Sequence, residues 1–148
     1  MSDIAGAVDR EIAGRMLPVV DPDNRPFFEG AARGELWMQR CVETGRLQYY
    51  PRPCSIRTGG PVDWVRCSGR GTVHSFTIIR TNYPEPHFQL LAPYVVAMIE
   101  LAEGVKMMSN VTGCSVTEVR IGLPVEAHFV CVHAKSGLFL PFWHKRDP

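Results

Sequence analysis

Between Val62 and Trp143 no stretch carries helical periodicity; β-branched and aromatic segments alternate with short glycine turns. This pattern constrains the fold more than any other feature of the chain. The expected strands are 62–67, 72–82, 94–101, 105–111, 125–134 and 138–143, and 116–121 reads as a helical turn. Ser68-Gly69-Arg70-Gly71, Ala102-Glu103-Gly104 and Lys135-Ser136-Gly137 are the turns, and a loop over 83–93 carries three prolines. A closed barrel of five strands and ~70–80 residues, the size of an OB-fold, accommodates about five of them.

The chain before Val62 is different. Ile4, Val8, Ile12 and Met16 repeat every four residues, which predicts a helix capped by Ser2 or Asp3 and stopped by Pro18. Its apolar stripe is one residue wide. That suits docking on a partner surface or packing on its own domain. After a Pro-Asp linker, Phe27 to Gly34 predicts a short helix with Pro26 at its first position and Gly34 as its stop. Glu35 to Cys41 and Arg46 to Tyr50 predict a hairpin turned at Gly45, and prolines and glycines break up 51–61. The division expected is a helical segment over 1–34, a hairpin over 35–61 and a barrel over 62–148.

The hairpin holds the most informative residues. Cys41 and Cys54 each open a short turn, Cys41-Val42-Glu43-Thr44-Gly45 and Cys54-Ser55-Ile56-Arg57-Thr58-Gly59. Zinc ribbons place two Cys-x-x-Cys knuckles on such turns, because tetrahedral zinc takes four thiolates. Here Thr44 and Arg57 stand where the second thiolate of each knuckle belongs. Cys41 and Cys54 are then remnants of a metal site, and zinc is not expected.

With these positions in view, the chain resembles the family known as domain of unknown function 35. The likeness runs from residue 26 to 143 through Pro26-Phe27-Phe28-Glu29-Gly30, Gln39-Arg40-Cys41, Gly45-Arg46-Leu47-Gln48, Pro51-Arg52-Pro53-Cys54, Ser68-Gly69-Arg70-Gly71-Thr72-Val73, Ala92-Pro93-Tyr94-Val95-Val96-Ala97 and Ile121-Gly122-Leu123-Pro124-Val125. The resemblance implies a mainly β protein: one or two N-terminal helices, a rubredoxin-like ribbon, here without half its cysteines, and a C-terminal five-stranded OB barrel. It implies an accessory subunit bound to a thiolase-like protein that carries the catalytic residues. Such complexes make or break carbon–carbon bonds on acyl-CoA or ketone substrates, aromatic and steroid side chains among them. No tightly bound cofactor is implied, only a possible contact with a CoA thioester.

The aromatic residues support an interaction role independently. Phe27, Phe28, Trp37, Tyr49 and Tyr50 sit in an appendage too small to bury all five, so some must pack on the barrel or on another chain. These five are the expected partner anchors. A structural zinc contributes on the order of 10 kcal/mol to a small metallo-domain. A buried aromatic contributes roughly 1.5–3 kcal/mol, so the ribbon is expected to be ordered mainly when docked.

Composition narrows the remaining classes. With 45% hydrophobic and 21% charged residues the chain is globular. No apolar run approaches a membrane span, and Met1-Ser2-Asp3-Ile4 opens no secretory signal, so the five cysteines are expected as reduced thiols in a cytoplasm. A formal net charge of +1 argues against a dedicated nucleic-acid binder, the alternative an OB barrel raises. Arginine outnumbers lysine 13 to 3. Arg57 and Arg70, together with Tyr83, His87 and Phe88 of the proline-rich loop, are candidates to line an acyl-CoA channel. The alternative for them is a solvated surface. His128 and His133, five apart on a strand, face opposite sides and do not chelate. Cys67, Cys114 and Cys131 fit buried hydrophobes better than nucleophiles. No nucleophile–base, phosphate-loop or dinucleotide motif marks a free-standing enzyme.

Overall fold

The computed structural model describes residues 17–80 and 92–147. The expected helix over Ile4 to Met16 and the loop residues Tyr83, His87 and Phe88 lie outside them.

Helix α1 spans Arg25–Ala32, two residues ahead of the expected start. Its entry is fixed by a local clasp. The Asp21 carboxylate accepts the backbone N–H groups of Asp23 and Asn24, both at 2.9 Å. The Asn24 side-chain oxygen in turn accepts the Asp21 N–H at 2.8 Å. Gly34, at φ 74°, ends the helix in the left-handed conformation that a side chain resists. Phe27, Phe28, Gly30 and Ala31 form its buried face.

Two sheets follow. The first has the order β2-β1-β3, from β1 (Leu36–Cys41), β2 (Leu47–Gln48) and β3 (Val62–Cys67). Expected with the barrel, Val62–Cys67 instead pairs antiparallel with β1 along its whole length, from Leu36 opposite Cys67 to Cys41 opposite Val62. This strand therefore belongs to the ribbon sheet, and the change of sheet falls at Ser68-Gly69. Local composition does not say which edge a strand will join.

The second sheet is a closed barrel in the order β4-β5-β6-β8-β7, the strand order of an OB-fold. Its strands are β4 (Arg70–Ile79), β5 (Tyr94–Leu101), β6 (Lys106–Thr112), β7 (Pro124–His133) and β8 (Leu138–Lys145). Hairpins join β5 to β6 and β7 to β8, while β4 meets β7 at Gly71 opposite Val125. A short parallel pairing of Val111 with Trp143 and Thr112 with His144 completes the closure. Val95, Ala97, Ile99 and Leu101 point inward at every second position of β5, as a half-buried strand requires. Trp143 is fully buried among them. Gly71 is needed where β4 crosses β5, because a Cβ there would stand 2.7 Å from the Glu100 carbonyl oxygen. The fold class expected from the sequence is the one observed. Helix α1 packs on both β1 and β8, so it touches ribbon and barrel together.

Candidate functional site

The ribbon knuckles are two copies of one backbone turn. In the first, Gly45 N–H donates to the Cys41 carbonyl at 2.8 Å and Cys41 N–H to the Arg46 carbonyl at 2.8 Å. In the second, Gly59 N–H donates to the Ser55 carbonyl at 2.9 Å and Ser55 N–H to the Gly60 carbonyl at 2.8 Å. Gly45 and Gly59 have φ of 72° and 73°. Thr44 Oγ1 accepts the Arg46 N–H at 3.3 Å, and Thr58 Oγ1 accepts the Gly60 N–H at 3.1 Å. The match sets Cys41 against Ser55 and Thr44 against Thr58.

This register corrects the remnant positions expected from the sequence. The second knuckle opens at Ser55, not Cys54, and closes at Thr58, not Arg57. Cys54 and Arg57 are both exposed, whereas Ser55 is 2% and Cys41 1% exposed. The thiol at Cys54 lies one residue off the position matched to Cys41, and a serine occupies that position.

Three hydroxyls converge on one sulfur. Ser55 Oγ accepts the N–H groups of Arg57 and Thr58 at 3.2 and 3.3 Å, which leaves its own proton free to donate. Thr44 and Thr58 are placed in the same way, and Thr58 Oγ1 lies 3.7 Å from Cys41 Sγ. Hydrogen bonds from Ser55 first, then Thr44 and Thr58, lower the Cys41 thiol to about 6, against the opposing effect of burial. Among the described residues, no group of three or more His, Cys, Asp or Glu side chains is placed to hold a metal ion.

Beneath the knuckles lies a buried amide pair that the sequence did not reveal. Gln39 and Gln48 face each other across β1 and β2 and are 2% and 4% exposed. Gln39 Oε1 accepts from Gln48 Nε2 and from the Arg52 N–H, each at 2.8 Å, and Gln39 Nε2 donates to the Arg52 carbonyl at 2.8 Å. Gln48 Nε2 also donates to the Cys54 carbonyl at 3.1 Å, and its Oε1 accepts the Ile56 N–H at 2.9 Å. The two side chains thus bind the loop over 52–56 to the sheet.

The five expected anchors separate into two groups. Phe27 and Phe28 are buried inside the chain, 3% and 5% exposed, and packed edge to face with centroids 5.2 Å apart. Phe27 also meets Tyr49 at 5.9 Å, and Tyr49 meets Tyr50 at 5.4 Å. Burial pushes the Tyr49 phenol up to about 12. The half-buried Trp37 donates its indole N–H to Glu35 at 2.8 Å, and this bond, ahead of the nearby Arg33 and Arg66, holds the Glu35 carboxyl below its ordinary range.

Phe27, Phe28, Tyr49 and Tyr50 line a cleft of about 280 Å³ against Met108 and Leu140 of the barrel. Tyr49 and Tyr50 follow β2 of the ribbon sheet and Met108 lies on β6 of the barrel, so the cleft is a seam between ribbon and barrel. Of the expected channel residues, the two described ones, Arg57 and Arg70, do not line it. Arg57 projects from the second knuckle, and Arg70 lies at a separate polar hollow with Thr72, Glu100 and Arg146. The exposed aliphatic residues include Val42 and Ile56, at 55% and 63%, one on each knuckle tip.

Cys67 and His133 both have structural settings. Burial pushes the Cys67 thiol up to about 12. His133 Nδ1 lies 2.7 Å from Ser136 Oγ but also accepts the Ser136 N–H, which makes it the cap of a turn. His128 stacks on His144 with centroids 3.4 Å apart, a pairing across β7 and β8 that spacing along one strand could not reveal. Among the described residues, no helix is long and apolar enough to cross a membrane.

Comparisons with known proteins agree with this architecture. Residues 28–56 match the family described as "ChsH2, rubredoxin-like zinc ribbon domain", and residues 64–130 match "ChsH2, C-terminal OB-fold domain". The chain is 37% identical over 136 residues to the "Probable enoyl-CoA hydratase alpha subunit" of Thermomonospora curvata, covering 90% of this chain and 41% of that one. It thus spans less than half the length of that relative. It is 33% identical over 99 residues to a "DUF35 domain-containing scaffold protein" of Methanothermobacter thermautotrophicus, covering 66% of this chain and 73% of that one. Among solved structures, a chain of the "Ltp2-ChsH2(DUF35) aldolase" superposes with a TM-score of 0.73 at 33% identity, over 87% of this chain and 98% of that one.

The zinc that the ribbon family's description implies does not fit the donors found here, since one thiol and three neutral hydroxyls stand where structural zinc takes thiolates or imidazoles. In its helix, ribbon and barrel, and in the order and pairing of its strands, the chain belongs to the ChsH2-like DUF35 family.

Proposed function

We propose that this chain is the non-catalytic accessory subunit of a thiolase-like enzyme that makes or breaks carbon–carbon bonds on acyl-CoA or ketone substrates. Retro-aldol or thiolytic cleavage of aromatic or steroid side chains is the reaction class favoured. The observation that carries this reading is the match to a chain of the Ltp2-ChsH2(DUF35) aldolase, which extends over 98% of that chain. The hydratase alpha subunit among its relatives supports CoA esters as the substrate class.

The chain's part is then positional. Phe27 and Phe28 are occupied in joining α1 to both sheets, so contact with the enzyme falls to half-buried Trp37, Tyr49 and Tyr50 and to the projecting Val42 and Ile56. Arg57 and Arg70 remain available to meet an anionic CoA group on the enzyme's surface.

Co-expression with a thiolase-like protein from the same organism tests this. The two should elute together from a sizing column, and activity on acyl-CoA should need both. Val42→Asp with Ile56→Asp should weaken the complex at least tenfold and leave the thermal transition of the free chain unchanged. Separate elution, or turnover by the purified chain alone, would refute the reading.

A further inference from the structure

We propose that the ribbon of this chain is closed by a thiol–hydroxyl cluster in place of zinc, and that a complete tetrathiolate site lies dormant at Cys41, Thr44, Ser55 and Thr58. The four positions are fixed by two independent observations. One is the repeated backbone hydrogen bonding of the knuckles, which matches Cys41 with Ser55 and Thr44 with Thr58. The other is the approach of Thr58 of the second knuckle to Cys41 of the first, with Oγ1 3.7 Å from Sγ.

The present donors explain why the ribbon does not need a metal. Each hydroxyl accepts a backbone N–H and keeps its own proton free to donate, so the cluster meets its polar needs without a metal. Neutral alcohols compete poorly with water for zinc, and a single thiolate does not hold a structural ion. The loop that a metal would otherwise pin is held from below by Gln39 and Gln48. The backbone of both turns is nevertheless intact, so cysteines at the three hydroxyl positions would project into the same centre as Cys41. Cys54 has no part in that centre, because the backbone register matches Ser55, the next residue, to Cys41.

The test uses the full chain. The purified wild-type protein should contain no stoichiometric zinc, and its thermal transition should not move when a strong chelator is added. The Thr44→Cys/Ser55→Cys/Thr58→Cys variant should bind one Co(II) per chain, with the visible bands of a tetrahedral tetrathiolate and displacement by zinc. The Thr44→Cys/Arg57→Cys variant keeps Cys54 and follows the register suggested by the cysteines alone, and it should give no such bands. Should the triple variant not fold, Ser55→Cys/Thr58→Cys supplies three thiolates at the same centre and should still bind Co(II) in tetrahedral geometry. One zinc per wild-type chain whose removal unfolds the ribbon would overturn the proposal. So would tetrathiolate bands from the Thr44→Cys/Arg57→Cys variant, the absence of such bands from the folded triple variant, or the absence of tetrahedral Co(II) binding from the folded Ser55→Cys/Thr58→Cys variant.

Discussion

Replacing Gln39 with leucine tests what holds the ribbon together. The side chain is 2% exposed and makes three hydrogen bonds of 2.8 Å, two to the backbone of Arg52 and one to Gln48. Leucine has a similar volume and makes none of them. At about 1 kcal/mol net per bond, the loss comes to about 3 kcal/mol, and the partners left unsatisfied push it upward. For a domain of this size, 1 kcal/mol moves the midpoint by about 2–4 °C, so Tm should fall by about 6–12 °C. Differential scanning calorimetry measures the shift. Hydrogen exchange locates it, because the Arg52 amide loses its acceptor outright. The Ile56 amide, which donates to Gln48, should lose protection as its acceptor loosens. A midpoint within about 2 °C of wild type, with both amides as protected as before, would show that the amide pair does not hold the loop.

Other perturbations follow from the same geometry. Gly30→Ala should destabilise by about 1–2 kcal/mol in chemical denaturation, although alanine usually favours a helix, because the added methyl would clash with the Trp37 ring and lie 3.1 Å from the Glu35 carbonyl oxygen. The Cys41 thiol is depressed to about 6 from an ordinary 9.0. Its ionised form therefore adds stability that is complete above the unfolded thiol range and lost as pH falls through about 6. The urea midpoint of the wild type should rise from pH 6 to pH 9 relative to Cys41→Ser, while the ultraviolet absorbance of the native thiolate should have its own midpoint near pH 6. Arg40 and Asp63 form a two-pronged ion pair at 3.0 and 2.7 Å, with both side chains more than two-fifths exposed. Asp63→Asn should cost less than ~1 kcal/mol, and molar salt should erase the difference.

What could be read from the sequence was local. Turn glycines at 45, 104 and 137 have positive φ where the hairpins were expected. The alternation of Val95, Ala97, Ile99 and Leu101 gave β5 its inward face. Pairing across distance was not legible. Val62–Cys67 has the composition of a barrel strand, and only the six-residue register with β1 shows its true sheet. Gln39 and Gln48 look like surface residues in isolation, since nothing local announces that two amides will share a buried loop. The second knuckle was misplaced by one residue because a thiol is conspicuous and a serine is not. The backbone pattern that distinguishes Ser55 from Cys54 exists only once the turn has formed.

Helix α1 is short, yet it rests on β1 of one sheet and β8 of the other, with Phe27 and Phe28 sunk at the junction. It works as a dowel glued into two boards. A hand that tilts the ribbon must tilt the barrel with it. The two lobes should then melt in one transition, and a partner gripping the knuckles would set the angle of the barrel's far rim without touching it.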